Sequence, residues 1–305
     1  MDRKSVKRRY TELHRAGVIK ERAKKMTASL SSCNICPRKC GVDRLNEEKG
    51  ICKTGSEALV SSYSAHFGEE RPLVGHHGSG TIFFTNCNLL CIFCQNYEIS
   101  HQGRGVYVSH EQLADIMLEL QEGGCHNINL VTPTHVVPQI LSALDVAAGK
   151  GLEIPLVYNT GGYDSIETLK ELDEIVDIYM PDFKFWTRSL GLQSCGVGDY
   201  REVAAGAVQE MYNQVGDLKI NNEGLAINGL LVRHLVLPGY PDETRKILEY
   251  IAGSLSKNTY LNVMRQYHPC GEAYRDARLG RSLRESEHRL AVGYAKKLGL
   301  QRIDY

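Results

Sequence analysis

The chain has no long hydrophobic run. Its apolar stretches, such as Ile128 to Val131 and Leu230 to Leu237, fall far short of the roughly 20 residues that a bilayer-spanning helix needs. It has no excess of charge either: 36 Lys and Arg stand against 36 Asp and Glu, so no global field draws it to nucleic acid or to an anionic membrane. The basic opening MDRKSVKRRY has no apolar segment behind it and does not read as a secretory signal. The lack of a GxxxxGKS/T loop, a repeat period or a low-complexity tract excludes the commonest nucleoside triphosphate site and the solenoid architectures. What remains is a 305-residue chain, 42% hydrophobic and 24% charged, expected to be soluble and cytoplasmic, with no nucleic-acid or membrane partner.

Cysteine, by contrast, is plentiful and clustered. Of ten cysteines, four lie at Cys33, Cys36, Cys40 and Cys52 and three at Cys87, Cys91 and Cys94. In a reducing compartment such groups bind metal more often than they form disulfides. Cys125, Cys195 and Cys270 stand alone and read as small buried residues.

Three regions follow one another. Residues 1–30 read as a basic helical arm, solvated and laid on the body, with Tyr10, Leu13, Val18 and Ile19 as its few apolar members. Residues 31–60 form a Cys-rich, turn-rich knuckle too poor in apolar side chains to fold without a cross-link. In residues 61–305, the β-rich runs TIFFT, INLVT, LVYNT, DIYMPDF, LLVRHLVL and YLNVMRQY alternate with helical stretches near 111–122, 137–149, 165–172, 200–214, 242–255 and 282–298. Six strand-helix units in series predict an α/β fold built on a parallel sheet, and an incomplete (β/α)6 barrel suits their number. A doubly wound open sheet is the alternative. The GHHGSG segment before the first strand reads as a turn, because phosphate cradles precede helices.

Cys87, Cys91 and Cys94 follow directly on TIFFT, in the first strand-to-helix loop, at the end of the sheet where active sites of parallel folds sit. Three close thiolates suit an iron-sulfur cluster, and three ligands on a four-iron cluster leave one iron open. A structural zinc with a distant fourth ligand such as His101 is the other option. The N-terminal set has four thiolates and so a closed shell, which fits either zinc or a saturated iron-sulfur cluster. Alternation along a strand turns Asp182 and Lys184 to one face. Arg233, in an otherwise apolar strand, must be paired or line a polar cavity, since an unpaired buried charge is too costly.

Cys87-Asn-Leu-Leu-Cys91-Ile-Phe-Cys94 resembles the CxxxCxxC signature of the radical S-adenosylmethionine superfamily, whose fold is a partial (β/α)6 barrel. The run GSGTIFFTNCNLLCIFCQNYEIS, with CNICPRKCGV before it and VTPTH, YNTGGYD, DIYMPDFK and RHLVLPG after it, is similar to a PflX-like group related to pyruvate formate-lyase activating enzymes. The likeness implies a [4Fe-4S] cluster on Cys87, Cys91 and Cys94 whose open iron chelates S-adenosylmethionine. It further implies reductive cleavage to methionine and a 5′-deoxyadenosyl radical that abstracts hydrogen from a substrate. The implied cofactor contacts are Phe93 beside the adenine, Thr132 and Thr134 where relatives carry a GGE motif, Asn159 and Thr160 on the third strand, and Asp182 and Lys184 on the fourth. Arg233, Leu235 and His268 would reach the cofactor from the far side, and Asp182 would face the ribose or a monovalent cation near Met180.

The same likeness implies an oxygen-sensitive oxidoreductase fed by a flavodoxin or ferredoxin-type donor, with a protein substrate, a glycyl radical enzyme among the candidates. One departure stands out: such activating enzymes often insert a ferredoxin-like segment after the CxxxCxxC loop, whereas here the chain runs almost directly into the helix at Glu111. A radical enzyme acting on a small molecule or another peptide, and a non-catalytic iron-sulfur electron carrier, are the competing readings. A carrier, however, has no need of Asp182, Lys184, Arg233 and His268 at separate strand ends.

Overall fold

The computed structural model describes residues 8–305, so the first seven residues of the expected arm lie outside it. Where the sequence predicts one N-terminal helix there are two, α1 (Arg9–Arg15) and α2 (Val18–Ala28), because Gly17 between them adopts φ +77°, left-handed backbone that ends a helix. Nor is this segment a solvated arm. Tyr10 and Ile19 are fully buried, Leu13, Ala23 and Met26 nearly so, and the Tyr10 hydroxyl donates to the Ile154 carbonyl at 2.9 Å. Its few apolar residues are spaced to face the body, and they join the main core.

The six strand-helix units stand where the alternation places them. Along the chain run β1 (Ala58–His66), α3 (Arg71–Val74), β2 (Ser79–Phe84), α4 (Tyr97–Ser100), β3 (Val106–Val108), α5 (His110–Glu122) and β4 (Ile128–Val131). Then come α6 (Val137–Gly149), β5 (Leu156–Thr160), α7 (Ile166–Glu171), β6 (Ile178–Pro181), α8 (Arg188–Cys195) and α9 (Tyr200–Val215). The last elements are β7 (Lys219–Ile220), β8 (Ala226–Leu235), α10 (Pro241–Tyr250), β9 (Tyr260–Met264), α11 (Glu285–Lys297) and β10 (Arg302–Asp304). Helices α1 and α2 both pack on α6.

The sheet order is β10-β9-β8-β6-β5-β4-β2-β1-β3, and every neighbouring pair from β2 to β10 is parallel. Each new parallel strand is added to the same edge, so strand order never reverses. That is the progression of a barrel and excludes the doubly wound sheet. The two ends, β3 and β10, are not paired with each other, and the barrel stays open. The short β10 makes a seventh parallel strand, and β1 with β3 adds an antiparallel flap beside β2.

Period-two alternation divides each strand between two environments. Val157, Ile178, Met180 and Leu231 point to one side and form a small core closed below by Leu73 of α3. Their neighbours Tyr158, Tyr179, Leu230 and Val232 point to the other side and join the large core with the helices. Continuing the first set along each strand toward its C-terminal end gives Asn159, Asp182, Lys184, Arg233 and Leu235. The floor of the barrel is therefore apolar and its upper interior polar.

If the N-terminal helices belong to the core, Tyr10→Ala should lower unfolding free energy in urea by about 3 kcal/mol, the scale of removing a buried aromatic ring. A change within about 0.5 kcal/mol would return the segment to a solvated arm.

Candidate active site

A cavity of about 730 Å3 opens at the C-terminal ends of the parallel strands, within the range of pockets that take a cofactor-sized ligand. Cys87, Cys91 and Cys94 line one wall. Their loop is wound tightly: Asn86 and Leu90 adopt left-handed φ of 74° and 56°, uncommon for residues with a β-carbon. Backbone bonds hold it, with Ile92 N–H donating to the Ser194 carbonyl at 2.9 Å and Cys94 N–H to the Cys91 carbonyl at 3.1 Å. The Leu89 N–H donates to Cys87 Sγ at 3.3 Å, and the Ser100 hydroxyl to Cys94 Sγ at 3.3 Å.

Burial pushes the Cys87 thiol up to about 12, with the neighbouring Cys91 charge adding to it. Cys91 is raised by its contact with the Cys195 thiol and by burial, and Cys94 by burial. Three thiols so disposed stay protonated until a thiophilic centre compensates their charge. Lys184 works in that direction, favouring the Cys91 thiolate. Among the described residues, no three Cys, His, Asp or Glu side chains are grouped as the ligands of a single ion, neither here with His101 nor around Cys33, Cys36, Cys40 and Cys52. The His101 ring instead stacks on Tyr97 at 4.0 Å. A polyatomic cluster bridges donors set further apart, and these three thiols on one cavity wall fit it.

Opposite the thiols lies a charge network. Arg233 donates through Nε to Asp182 Oδ1 at 2.7 Å and through Nη2 to Asn159 Oδ1 at 2.7 Å, while Lys184 pairs with Asp182 Oδ2. Burial alone would raise the Asp182 carboxyl, but Arg233 and Lys184 together hold it below the usual range. Lys184 is lifted above its ordinary value, burial opposing and the Asp182 charge prevailing. Both oxygens of Asp182 are thus engaged by cations of the chain itself. Two carboxylates not foreseen from sequence complete the wall: Glu70 lies 3.7 Å and Glu69 3.9 Å from Arg233 Nη1. Burial raises Glu70, and Asn262 donates to it at 3.0 Å.

Most residues expected at the cofactor meet in this cavity, namely Phe93, Thr132, Asn159, Thr160, Asp182, Lys184, Arg233 and Leu235. Phe93 is buried against Phe185 and Tyr267 at ring separations of 5.9 and 5.8 Å. Thr132 adopts φ +59° and donates its N–H to the Asn159 carbonyl at 2.8 Å. Two expected residues are elsewhere. Thr134 is buried outside the cavity lining, its hydroxyl donating at 2.7 Å to Asp164, a carboxyl that also takes Thr160 at 2.6 Å and Tyr158 at 2.9 Å. His268 is exposed, with Nδ1 3.1 Å from the Gln266 carbonyl, because β9 ends at Met264 and strand alternation no longer governs the chain beyond it. Asn262, Met264 and Arg265 face the cavity from that side instead.

Of the lone cysteines, Cys125 and Cys195 are buried as expected and Cys270 is half-buried, but Cys195 touches Cys91. The sequence gap of about a hundred residues hid that contact. Cys33, Cys36, Cys40 and Cys52 gather around one small pocket with Arg44 and His135, and burial followed by the neighbouring thiols pushes Cys36 up to about 12. Their knuckle is no separate unit, for Ile35 is buried in the main core and its carbonyl accepts from Thr168 at 2.7 Å.

Among the described residues, no helix is long and apolar enough to cross a membrane. Comparison with known proteins agrees with the geometry. The chain is 31% identical over 282 residues to uncharacterized protein MJ0674 of Methanocaldococcus jannaschii, covering 89% of this chain and 76% of that one. A solved structure described as native anSMEcpe with bound AdoMet superposes at a TM-score of 0.45 and 11% identity, over 70% of this chain and only 57% of that one. The profile of the Radical SAM superfamily matches residues 81–251, from β2 and its three cysteines to the end of α10. The chain belongs to the radical SAM superfamily.

Proposed function

We propose that this protein is a radical enzyme in which Cys87, Cys91 and Cys94 hold a [4Fe-4S] cluster and the opposite wall holds S-adenosylmethionine. The observation that carries this is the convergence of three thiols from one strand-to-helix loop with Lys184, Asp182 and Arg233 from two other strands in a single cavity. When bound, the cluster supplies the electron that splits a carbon-sulfur bond of the cofactor and so yields a carbon radical able to take hydrogen from substrate. The chain supplies the rest. Lys184 meets the methionine carboxylate, Phe93 packs by the adenine, and the Asn159 and Thr132 backbones offer acceptors for the ammonium. Asp182, Glu69 and Glu70 lie against Lys184 and Arg233, which holds these charges in place around the cofactor. The apolar floor of Val157, Met180 and Leu231 keeps water from below the reacting centre.

The reading extends to the substrate: a protein, with a glycyl radical enzyme as the first candidate, served in the cytoplasm by a flavodoxin or ferredoxin-type donor. Its support is the similarity of CNICPRKCGV, YNTGGYD and RHLVLPG to the activating-enzyme relatives. Cys33, Cys36, Cys40 and Cys52 hold a second centre, zinc or an auxiliary iron-sulfur cluster. Capture of a partner by the anaerobic protein, followed by a glycyl-type EPR signal on mixing, tests the substrate. A small molecule consumed with no partner captured would replace it.

In dithionite-reduced, reconstituted protein, Cys91→Ala should abolish release of methionine and 5′-deoxyadenosine, because each thiolate holds one iron. Cleavage retained in that variant would remove the cluster assignment. Lys184→Ala should leave iron and sulfide content unchanged while weakening S-adenosylmethionine binding about tenfold or more, the worth of one charged hydrogen bond. Equilibrium dialysis checks this, and unchanged affinity would move the carboxylate contact elsewhere.

A further inference from the structure

The superfamily match begins at residue 81, so the N-terminal cysteines lie outside it, and two arginines there, Arg44 buried and Arg38 half-buried, have no counterpart in the catalytic scheme. Arg44 is 1% exposed, yet among the described residues no carboxylate pairs with it. Its guanidinium donates twice to the Gly55 carbonyl, at 2.9 and 2.7 Å, once to the His135 carbonyl at 3.0 Å, and approaches Cys33 Sγ at 3.8 Å. A buried cation needs a counter-charge, and the groups that can provide one here are the four cysteines around the same pocket, as thiolates. Four thiolates on a four-iron cluster, which bridges donors set further apart than a single ion does, leave a net negative centre, which is what Arg44 lacks. The same pocket is lined by His135, whose Nδ1 is buried and without a hydrogen-bond partner while Nε2 lies 2.8 Å from the Thr85 carbonyl.

The second arginine joins this pocket to the catalytic loop. Arg38, between Cys36 and Cys40, donates through Nε to the Asn88 carbonyl at 2.8 Å and through Nη2 to the carbonyls of Leu89 at 3.2 Å and Cys195 at 2.8 Å. Asn88 and Leu89 sit between Cys87 and Cys91, next to the left-handed Leu90, and Cys195 touches Cys91. Asn86 adds a bond to the Thr54 hydroxyl at 3.2 Å, just past Cys52. One guanidinium thus fixes three carbonyls around the cluster loop from a position whose own backbone is set by Cys36 and Cys40.

We propose that Cys33, Cys36, Cys40 and Cys52 hold an anionic thiolate-metal centre, paired with Arg44, that sets the geometry of the Cys87–Cys94 loop through Arg38. Arg38 is a positioning residue: it touches no cofactor and acts through the carbonyls it binds. The proposal rests on the assignment of a cluster to Cys87, Cys91 and Cys94 and adds the element that tunes it.

The test uses full-length protein, reconstituted anaerobically with iron, sulfide and zinc. The triple variant Cys87→Ala, Cys91→Ala, Cys94→Ala should retain iron or zinc at the N-terminal centre, and elemental analysis says which. Arg38→Ala should keep the wild-type metal content but shift the EPR g-values and midpoint potential of the reduced catalytic cluster, and slow cofactor cleavage about tenfold. Arg38→Lys, which keeps the charge but not the fork, should recover only part of both. A metal-free triple variant overturns the centre, and wild-type EPR and potential in Arg38→Ala overturn the link. If the triple variant fails to fold, Cys40→Ser in the otherwise wild-type chain should lower the metal content by that of the N-terminal centre, and if Arg38→Ala fails to fold, Arg38→Lys should show a smaller shift of the same g-values and potential. Loss of cleavage in the wild type would sink the proposed function, whereas metal content and EPR line shape would still decide this inference.

Discussion

A guanidinium cannot be buried without partners, and the site is organised around satisfying that of Arg233. Its forked donors reach Asp182 on one side and Asn159 on another, with Glu69 and Glu70 beyond. Those partners come from the ends of β5 and β6 and from the loop after β1, so one side chain ties three separate parts of the barrel to β8. Breaking such a pair leaves a charge stranded in low dielectric and is far more damaging than the pair is stabilising. The network therefore contributes position more than stability. It fixes where Lys184 stands relative to Cys91, and hence the width of the cavity.

Much of this was legible in the sequence, for physical reasons that differ from residue to residue. TIFFT, INLVT, LVYNT and LLVRHLVL are apolar on both faces, and only a buried parallel strand combines that with short length, so their assignment needed no tertiary knowledge. Asp182 and Arg233 were readable as inward groups because strand alternation extends to the bridge that pairs them, and Lys184, two residues further, keeps the same side through its ion pair with Asp182. His268 failed on the same rule, since β9 has already left the sheet by then. Thr134 failed because Asp164, thirty positions on, claims its hydroxyl, and sequence spacing carries no trace of such a pairing.

Other misses share one cause, the low apolar content of what was overlooked. β1 is largely exposed beyond Val60 and β10 is only three residues long, so neither shows a hydrophobic pattern. With β1 unread, Glu69 and Glu70 had no address in the fold. The N-terminal helices were misjudged the other way. A segment dense in Lys and Arg reads as solvated, yet five well-spaced apolar side chains suffice to seat it on α6.

Because every parallel strand is added at one edge, the helices cover only the outer face of the sheet, and the inner face belongs to the cavity. Along each strand, residues that touch helices and residues that touch ligand simply alternate. At the end of β8, Leu235 lines the cavity while Val236 packs in the core behind it. In a sheet covered on both faces, no such separation exists, and any change of pocket is also a change of packing. Here the two are uncoupled residue by residue, so a lineage could alter the substrate it accepts through inward positions alone, while the outward ones keep the fold.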